Sequence, residues 1–598
     1  MSTRDDLELL DQLQTEAEQM ADELEDSTHG AFDRREFVFL SLAAAAASTF
    51  GFGARALAQA PAQATQPQAA LPPLGNGEPV SWTFQPYPGG TGALMEKLVR
   101  EHGVAAFQRS PFTVAAWSGR VPTSPDEIAF LPAHRLSALI KAKRLTSMQI
   151  TRIYLDRLER LDPTLLCAVT IMREQALKEA ARADAEIAAG RYRGPLHGIP
   201  YGVKDLFSTK GVRTTWGSKD YENRVIDEDA EVVIRLRDAG AVLIAKLATG
   251  LFAQGDQWYR GRTNNPWDIR RGSSGSSAGP SSATAAGCVA FGIGTETSGS
   301  IVSPSRECGL SALRPTFGRV SRYGGMVLAW SQDRVGPICR TIEDCAMVFN
   351  AIHGVDPKDP GTITAPFHFD PNIKLSSVRI GIDANAPKEF VDKLRELGAT
   401  PKEIAARPQL EGGGGLGVES AAAFDEYVQM KAKELGIDVA TIPEPQRGRG
   451  GRGGGGGVRL AGDPGNPTGM AALNRWTGGR FPRAFEFVQN QRRRYTLITE
   501  MAKLLEDFDM YVPGGSGDVG LHAQTGHPCA VVPYMFDSPP AGRGGRGGAP
   551  DSTTPPIVYN KKPICAVLAG NLYNDDKILS VAHQYQVHTE WHLKHPSL

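Results

Sequence analysis

Between residues 272 and 300 the chain is dominated by small residues, and this stretch narrows the folds open to it more than any other. It reads Gly272-Ser-Ser-Gly-Ser-Ser-Ala-Gly-Pro-Ser-Ser-Ala-Thr-Ala-Ala-Gly287, then Cys288-Val-Ala-Phe-Gly-Ile-Gly294-Thr-Glu-Thr-Ser-Gly-Ser300. A Gly/Ser-rich run is commonly a flexible linker or a phosphate-binding turn. A solvated linker would not pass straight into a small-residue helix and then an apolar stretch, so the segment is predicted to be packed inside. No Gly-Lys-Ser/Thr ending is present, which argues against a nucleotide-binding P-loop.

Upstream, Lys204 sits in Gly198-Ile-Pro-Tyr-Gly-Val-Lys204-Asp205. Ile199, Pro200, Val203, Leu206 and Phe207 flank it, as they would at the end of a buried strand. A serine hydroxyl is a poor nucleophile at neutral pH and needs a base within hydrogen-bond reach. A lysine can be that base only when neutral, and burial lowers its pKa in that direction. The small residues before Ser300 leave the backbone N–H groups of Thr297, Ser298, Gly299 and Ser300 free to converge on one point. Such a cradle is an oxyanion hole, usually the largest contribution to acyl-transfer catalysis.

These three stretches resemble the amidase signature family, serine hydrolases that use a Ser–Ser–Lys triad. The resemblance implies an α/β fold with a large mixed β-sheet sandwiched between helices. It makes Ser300 the nucleophile and Lys204 the base. Counting back from the Gly-Ser step at Ser300 and from Gly287 puts the bridging serine at Ser276, whereas Ser273 fits neither count. Ser276 would then accept from Ser300 and donate to Lys204, and the Gly275–Ser276 peptide bond would be cis.

The likeness extends over roughly residues 133–592, the expected amidase domain. Residues 136–163 are similar to the family's opening helices, and 233–247 predict a helix, Gly240 as its C-cap, and a buried strand. Asn265-Pro-Trp-Asp268 and the Leu313-Arg-Pro-Thr-Phe-Gly318 stretch also match. Gly526-His-Pro528 and Asp575-Asp-Lys-Ile-Leu579 resemble the closing strand and helix. There are departures. Glu296-Thr-Ser-Gly-Ser300 stands where the family often has Asp-Thr-Gly-Gly-Ser, Val302 replaces a common arginine, and Ser277-Ala-Gly-Pro280 replaces Ser-Gly-Gly-Ser. None removes a triad atom. For the substrate pocket, family positions map to Gly255, Asp256, Trp258, Tyr259, Trp330 and His527, an aromatic and partly polar cleft. His527 is read as positional or structural, because a lysine base makes a histidine base unnecessary.

The 65 basic and 66 acidic residues balance to a net charge of −1, which gives no drive towards nucleic acid or an anionic membrane. Seven scattered cysteines with no Cys-x-x-Cys pair argue against a zinc site or a disulfide framework. No metal or cofactor is expected, and Cys308, in Glu307-Cys-Gly-Leu310, reads as a packed turn. Residues 1–58 look like a twin-arginine export signal: Arg34-Arg35, an Ala-rich apolar stretch, then Ala56-Leu-Ala58 as a cleavage site. The apolar run is short of the about 20 residues a membrane span needs, so no stable span is expected after processing. These features predict a partnership with the twin-arginine export machinery and a periplasmic or secreted protein. Residues 59–132 read as a linker and N-terminal extension. Low-complexity insertions rich in Arg-Gly-Gly lie near 445–458 and 540–550, and residues 372–444 suggest an inserted helical cap.

The leading reading is an exported amidase that cleaves a small-molecule carboxylic amide to acid and ammonia or amine. Its alternatives are the glutaminase subunit of a tRNA-dependent amidotransferase and a catalytically silent binding protein. Export argues against the first and the intact triad against the second. RNA binding through the Arg-Gly-Gly stretches is opposed by charge and export, and a homodimer stays open as the oligomeric state.

Overall fold

The computed structural model describes residues 86–410, 415–441, 476, 478–537 and 562–598. The predicted export signal, the linker and both Arg-Gly-Gly insertions lie outside the described residues.

Eleven strands form one mixed sheet. In chain order they are β1 (Ala168–Ile171), β2 (Pro200–Lys204), β3 (Val242–Leu247), β4 (Phe291–Glu296), β5 (Ser311–Arg314) and β6 (Arg334–Cys339). They continue with β7 (Ile380–Ile382), β8 (Lys402–Glu403), β9 (Met510–Val512), β10 (Cys529–Asp537) and β11 (Lys562–Gly570). Their spatial order is β1-β3-β2-β4-β6-β5-β10-β11-β9-β7-β8. β2 runs parallel to both β3 and β4, whereas β4, β6, β5, β10, β11 and β9 alternate antiparallel. The α/β architecture read from the sequence is therefore the one observed.

Local sequence explains the helices that cover the sheet. α1 (Ser147–Leu165) opens with a reciprocal capping box between Thr146 and Gln149. Its buried Ile150, Tyr154, Leu155, Leu158, Leu161 and Leu165 follow helical spacing and face the core. The helix Glu231–Asp238 is followed by Gly240 at φ +83° and by fully buried β3, matching the predicted helix, cap and strand.

α2 (Ala278–Ala285) is buried at all eight positions. A Cβ on its Gly279 would lie 2.3 Å from the Ala248 backbone nitrogen and 2.4 Å from the Cys167 carbonyl. The small residues are thus what lets a helix pass this close to strand backbone.

Two expectations change. The 372–444 segment is only partly a helical cap: β7 and β8 add two parallel strands to the sheet edge beside β9. Strands of three and two residues are too short to leave an alternating pattern in the sequence. The second half is helical, as Leu416–Ala423 and Asp425–Glu434. Residues ahead of 133 also join the core: Phe112, Val114, Trp117 and Val121 pack on it, and Leu94 and Leu98 pack with Ala365, Leu572 and Tyr573.

Candidate active site

Because β2 and β4 are parallel neighbours, their C-terminal ends share one edge of the sheet. Lys204 is the last residue of β2 and is fully buried, and Thr295 and Glu296 close β4 beside it. The 273–277 loop crosses this edge before α2. The Ser277 N–H donates to the Ser300 carbonyl at 3.1 Å and ties the serine loop to the turn after β4. The Gly275–Ser276 peptide bond is cis, as the resemblance implied. Position 275 has no room for a side chain, since a Cβ there would sit 1.9 Å from the Gly255 carbonyl oxygen.

Lys204 Nζ lies 2.8 Å from Ser276 Oγ, 2.8 Å from Thr295 Oγ1 and 3.1 Å from Ser277 Oγ. Ser277 is already committed: its hydroxyl donates to the Thr295 carbonyl and accepts from the Thr295 N–H. It can only accept from Lys204. Burial pushes the Lys204 ammonium well below the usual lysine range, against the opposing pull of the Asp333 and Glu296 carboxylates. A neutral amine has two N–H donors and one lone pair. Thr295 and Ser277 can take the donors, which leaves the lone pair for the Ser276 O–H.

The turn from Thr297 to Ile301 is held from below by Glu296. One carboxylate oxygen accepts from the Ile301 and Val302 N–H groups at 2.8 and 2.9 Å, at the start of the helix Val302–Cys308. The other accepts from Arg314 Nη1 at 2.8 Å, with both side chains fully buried. Burial alone would raise the Glu296 pKa, but Arg314, Arg334 and the N–H donors outweigh it and hold the carboxyl below its ordinary range. Gly299 takes φ +92°, and no described group accepts from the N–H of Ser298, Gly299 or Ser300. Ser300 is half-buried. The expected Ser300-to-Ser276 hydroxyl hydrogen bond is not formed among the described residues, and the two segments meet through the Ser277–Ser300 backbone contact instead. Catalytic hydrogen bonds commonly tighten only once substrate is bound.

A cleft of about 250 Å³ runs from Thr295 and Thr297 past Leu206, Phe207 and Met326 to Trp330, which is 49% exposed at its mouth. Of the residues read as substrate contacts, Trp330 alone lines this cleft. Trp258 is fully buried with Val169, Ala248 and Tyr259, so it is core. Tyr259 is half-buried and its backbone is held by the Gly217 carbonyl. Gly255 and Asp256 instead brace the serine loop, Gly255 by its carbonyl against Gly275 and Asp256 by accepting the Ser274 N–H at 3.2 Å. His527 is buried against Thr525, and its carbonyl accepts from Arg314 and Arg334. Burial, with those two guanidiniums nearby, lowers its pKa to about 3.

Sequence reading passed over Thr295, Ser277, Arg314 and Asp333. Arg314 did leave a signal: an arginine at the end of Leu310-Ser-Ala-Leu313 is a charge in a buried strand, which calls for a buried partner. Among the described residues no cluster of three His, Cys, Asp or Glu side chains could hold a metal.

An eleven-stranded mixed sheet with a buried lysine and two serines at one strand edge defines a class of α/β enzymes that hydrolyse amide C–N bonds. Residues 149–405 match the Amidase family. The amidase-type subunit of glutamyl-tRNA(Gln) amidotransferase from Methylococcus capsulatus is 31% identical over 502 residues, covering 77% of this chain and 98% of the relative. Its counterpart from Thioalkalivibrio sulfidiphilus is 32% identical over 491 residues, with the same coverage. The native peptide amidase of Stenotrophomonas maltophilia superposes with a TM-score of 0.60 at 25% identity, over 77% of this chain and 97% of that one. A 6-aminohexanoate cyclic dimer hydrolase shares the fold at 18% identity and a TM-score of 0.61, over 78% of this chain and 99% of that one. The chain belongs to the amidase family.

Proposed function

We propose that this protein hydrolyses a carboxylic amide through an acyl-enzyme on Ser300, with Ser276 and Lys204 as the proton relay. The observation that carries the reading is the fully buried Lys204 amine 2.8 Å from Ser276 Oγ. As Ser300 Oγ bonds to the amide carbon, its proton passes to Ser276 Oγ and that of Ser276 passes to Lys204 Nζ. The oxyanion is met by the N–H groups of the 297–300 turn. Return of the proton along the same path to the amide nitrogen lets the C–N bond break and releases ammonia or an amine. Water then repeats the sequence on the ester and frees the acid. The apolar walls of the cleft, Leu206, Phe207, Met326 and Leu328, favour amides with an apolar portion.

A panel of aliphatic, aryl, peptide-terminal and cyclic amides, with Ser300→Ala as the blank, tests this reading. Ser300→Ala should lose turnover and fluorophosphonate labelling while its melting curve stays that of the wild type. Undiminished labelling would place the nucleophile elsewhere.

A second reading, the glutaminase subunit of a tRNA-dependent amidotransferase, is favoured by the names of relatives at 31–32% identity. The Arg34-Arg35 signal favours export and opposes it. Changing both arginines to lysine and following activity in periplasmic and cytoplasmic fractions separates the two: wild-type activity confined to the cytoplasm would support the glutaminase reading.

A further inference from the structure

Asp333 lies just before β6 at the wall of the cleft, and the triad chemistry leaves it without a role. Its carboxylate is almost wholly buried and receives three donors. Oδ1 accepts from the Thr297 hydroxyl at 2.6 Å, and Oδ2 accepts from the N–H groups of Leu328 and Ala329 at 2.7 and 3.0 Å. Burial raises its pKa above the ordinary carboxylate value, while those three donors and Arg322 pull it back down. An acid receiving three donors on its two oxygens is bound as the carboxylate. One side chain therefore joins two pieces of the site: the loop that carries Met326, Leu328 and Trp330 along the cleft, and the first residue of the turn that ends at Ser300.

The loop cannot simply follow the turn, because its far side is pinned. Ser331 gives its N–H and hydroxyl to Glu419, Arg494 donates to the Ser331 carbonyl at 2.8 Å and to its hydroxyl at 2.6 Å, and Ser420 donates to the Leu328 carbonyl. Asp333 thus pulls Thr297 against a fixed wall.

We propose that Asp333 is a positioning residue for the reaction, fixing the oxyanion turn against the substrate wall and placing a negative charge beside Lys204. The inference rests on the reading of Ser300 as nucleophile and Lys204 as base. Other charges face these groups. Glu296 shares the effect on Lys204 but is itself paired with Arg314, with Arg334 near it. On the opposite side Asp205 is paired with Lys246 at 3.0 Å. Arg322 is the cation that acts on Asp333, and it is engaged by Asp359 at 2.7 Å. Asp333 is the largest charge acting on Lys204, and its pull favours the ammonium form.

The two parts of the proposal separate in two variants. Thr297→Val cuts the link to the turn and leaves the charge. Asp333→Asn removes the charge and weakens the link. The probe is a fluorophosphonate, with kinact and KI measured from pH 5 to 10, which needs no knowledge of the natural amide. Both variants should lower kinact by about 10- to 100-fold while KI changes by less than about threefold, as expected when donors to a transition-state oxyanion lose their place. Labelling requires neutral Lys204, so the rate falls as pH drops through its pKa. Losing the Asp333 carboxylate destabilises the ammonium and moves that acid limb to lower pH in Asp333→Asn only. Asp333→Glu should restore the position of the limb without restoring kinact.

Thr297→Val labelling at the wild-type kinact would overturn the positioning role even if Asp333→Asn failed to fold. A folded Asp333→Asn with an unmoved acid limb would overturn the electrostatic one. Lys204→Ala and Ser300→Ala run alongside: wild-type labelling in either would show that the base or nucleophile reading has failed, a different result from both.

Discussion

Replacing Glu296 with glutamine removes one buried negative charge and almost no volume. The carboxylate has two tasks: Oε2 caps the Ile301 and Val302 N–H groups, and Oε1 meets Arg314 at 2.8 Å. An amide has one acceptor oxygen. If that oxygen keeps the cap, the NH2 group faces the Arg314 guanidinium, donor against donor, and both buried guanidiniums, Arg314 and Arg334, lose a nearby counter-charge. Breaking a buried pair by removing one partner costs about 3–5 kcal/mol.

The pH dependence has a definite sign. The folded Glu296 pKa is depressed, so its stabilisation is fully present above the unfolded value of about 4.3 and is lost as pH falls through the folded pKa. Urea unfolding followed by tryptophan fluorescence should therefore show the full deficit of Glu296→Gln at pH 7 and a shrinking one below about pH 4. Glu296→Asp keeps the charge but is one methylene shorter, so it cannot serve both Arg314 and the turn and should lose about 1–3 kcal/mol. A Glu296→Gln variant within about 1 kcal/mol of the wild type at pH 7 would refute the view that this pair anchors the turn.

Two further outcomes follow from the same geometry. Lys204→Arg should be as inactive as Lys204→Ala, because guanidinium keeps its proton at any working pH. Wild-type hydrolysis should rise with pH to a plateau whose midpoint lies below the ordinary lysine value of 10.5, because burial disfavours the ammonium; rate–pH profiles on any turned-over amide measure this. Gly275→Ala should destabilise by more than about 3 kcal/mol and abolish labelling, since the new Cβ would meet the Gly255 carbonyl, which is backbone and cannot rotate away. A wild-type melting temperature in that variant would contradict the close approach.

What could be read in advance depended on whether the signal was local. Gly240 is visible because a glycine between a helical and a buried pattern marks a left-handed cap, and it does take φ +83°. The small residues of α2 are visible because only they allow such close backbone contact. The aromatic contacts failed for the opposite reason. Trp258 and Trp330 have equal claims as side chains, and only tertiary packing puts one among Val169 and Ala248 and leaves the other at the cleft mouth. β7 and β8 escaped because parallel edge strands need a distant partner, here β9, before their few residues mean anything.

Asp333 belongs to that second group, and it shows why the triad alone underdetermines the site. In Ser331-Gln-Asp-Arg334 it is one acid among 66 acidic residues, with nothing local to single it out. Its meaning comes from three donors brought by two other turns and from a lysine four strands earlier in the chain. A motif supplies the atoms that react. The charge state of Lys204 and the aim of the N–H groups before Ser300 are set by buried carboxylates that the motif does not contain, or contains only as the unassigned Glu296. Substitutions at Glu296 and Asp333 should for that reason alter rate and pH dependence in a chain whose Lys204, Ser276 and Ser300 are untouched.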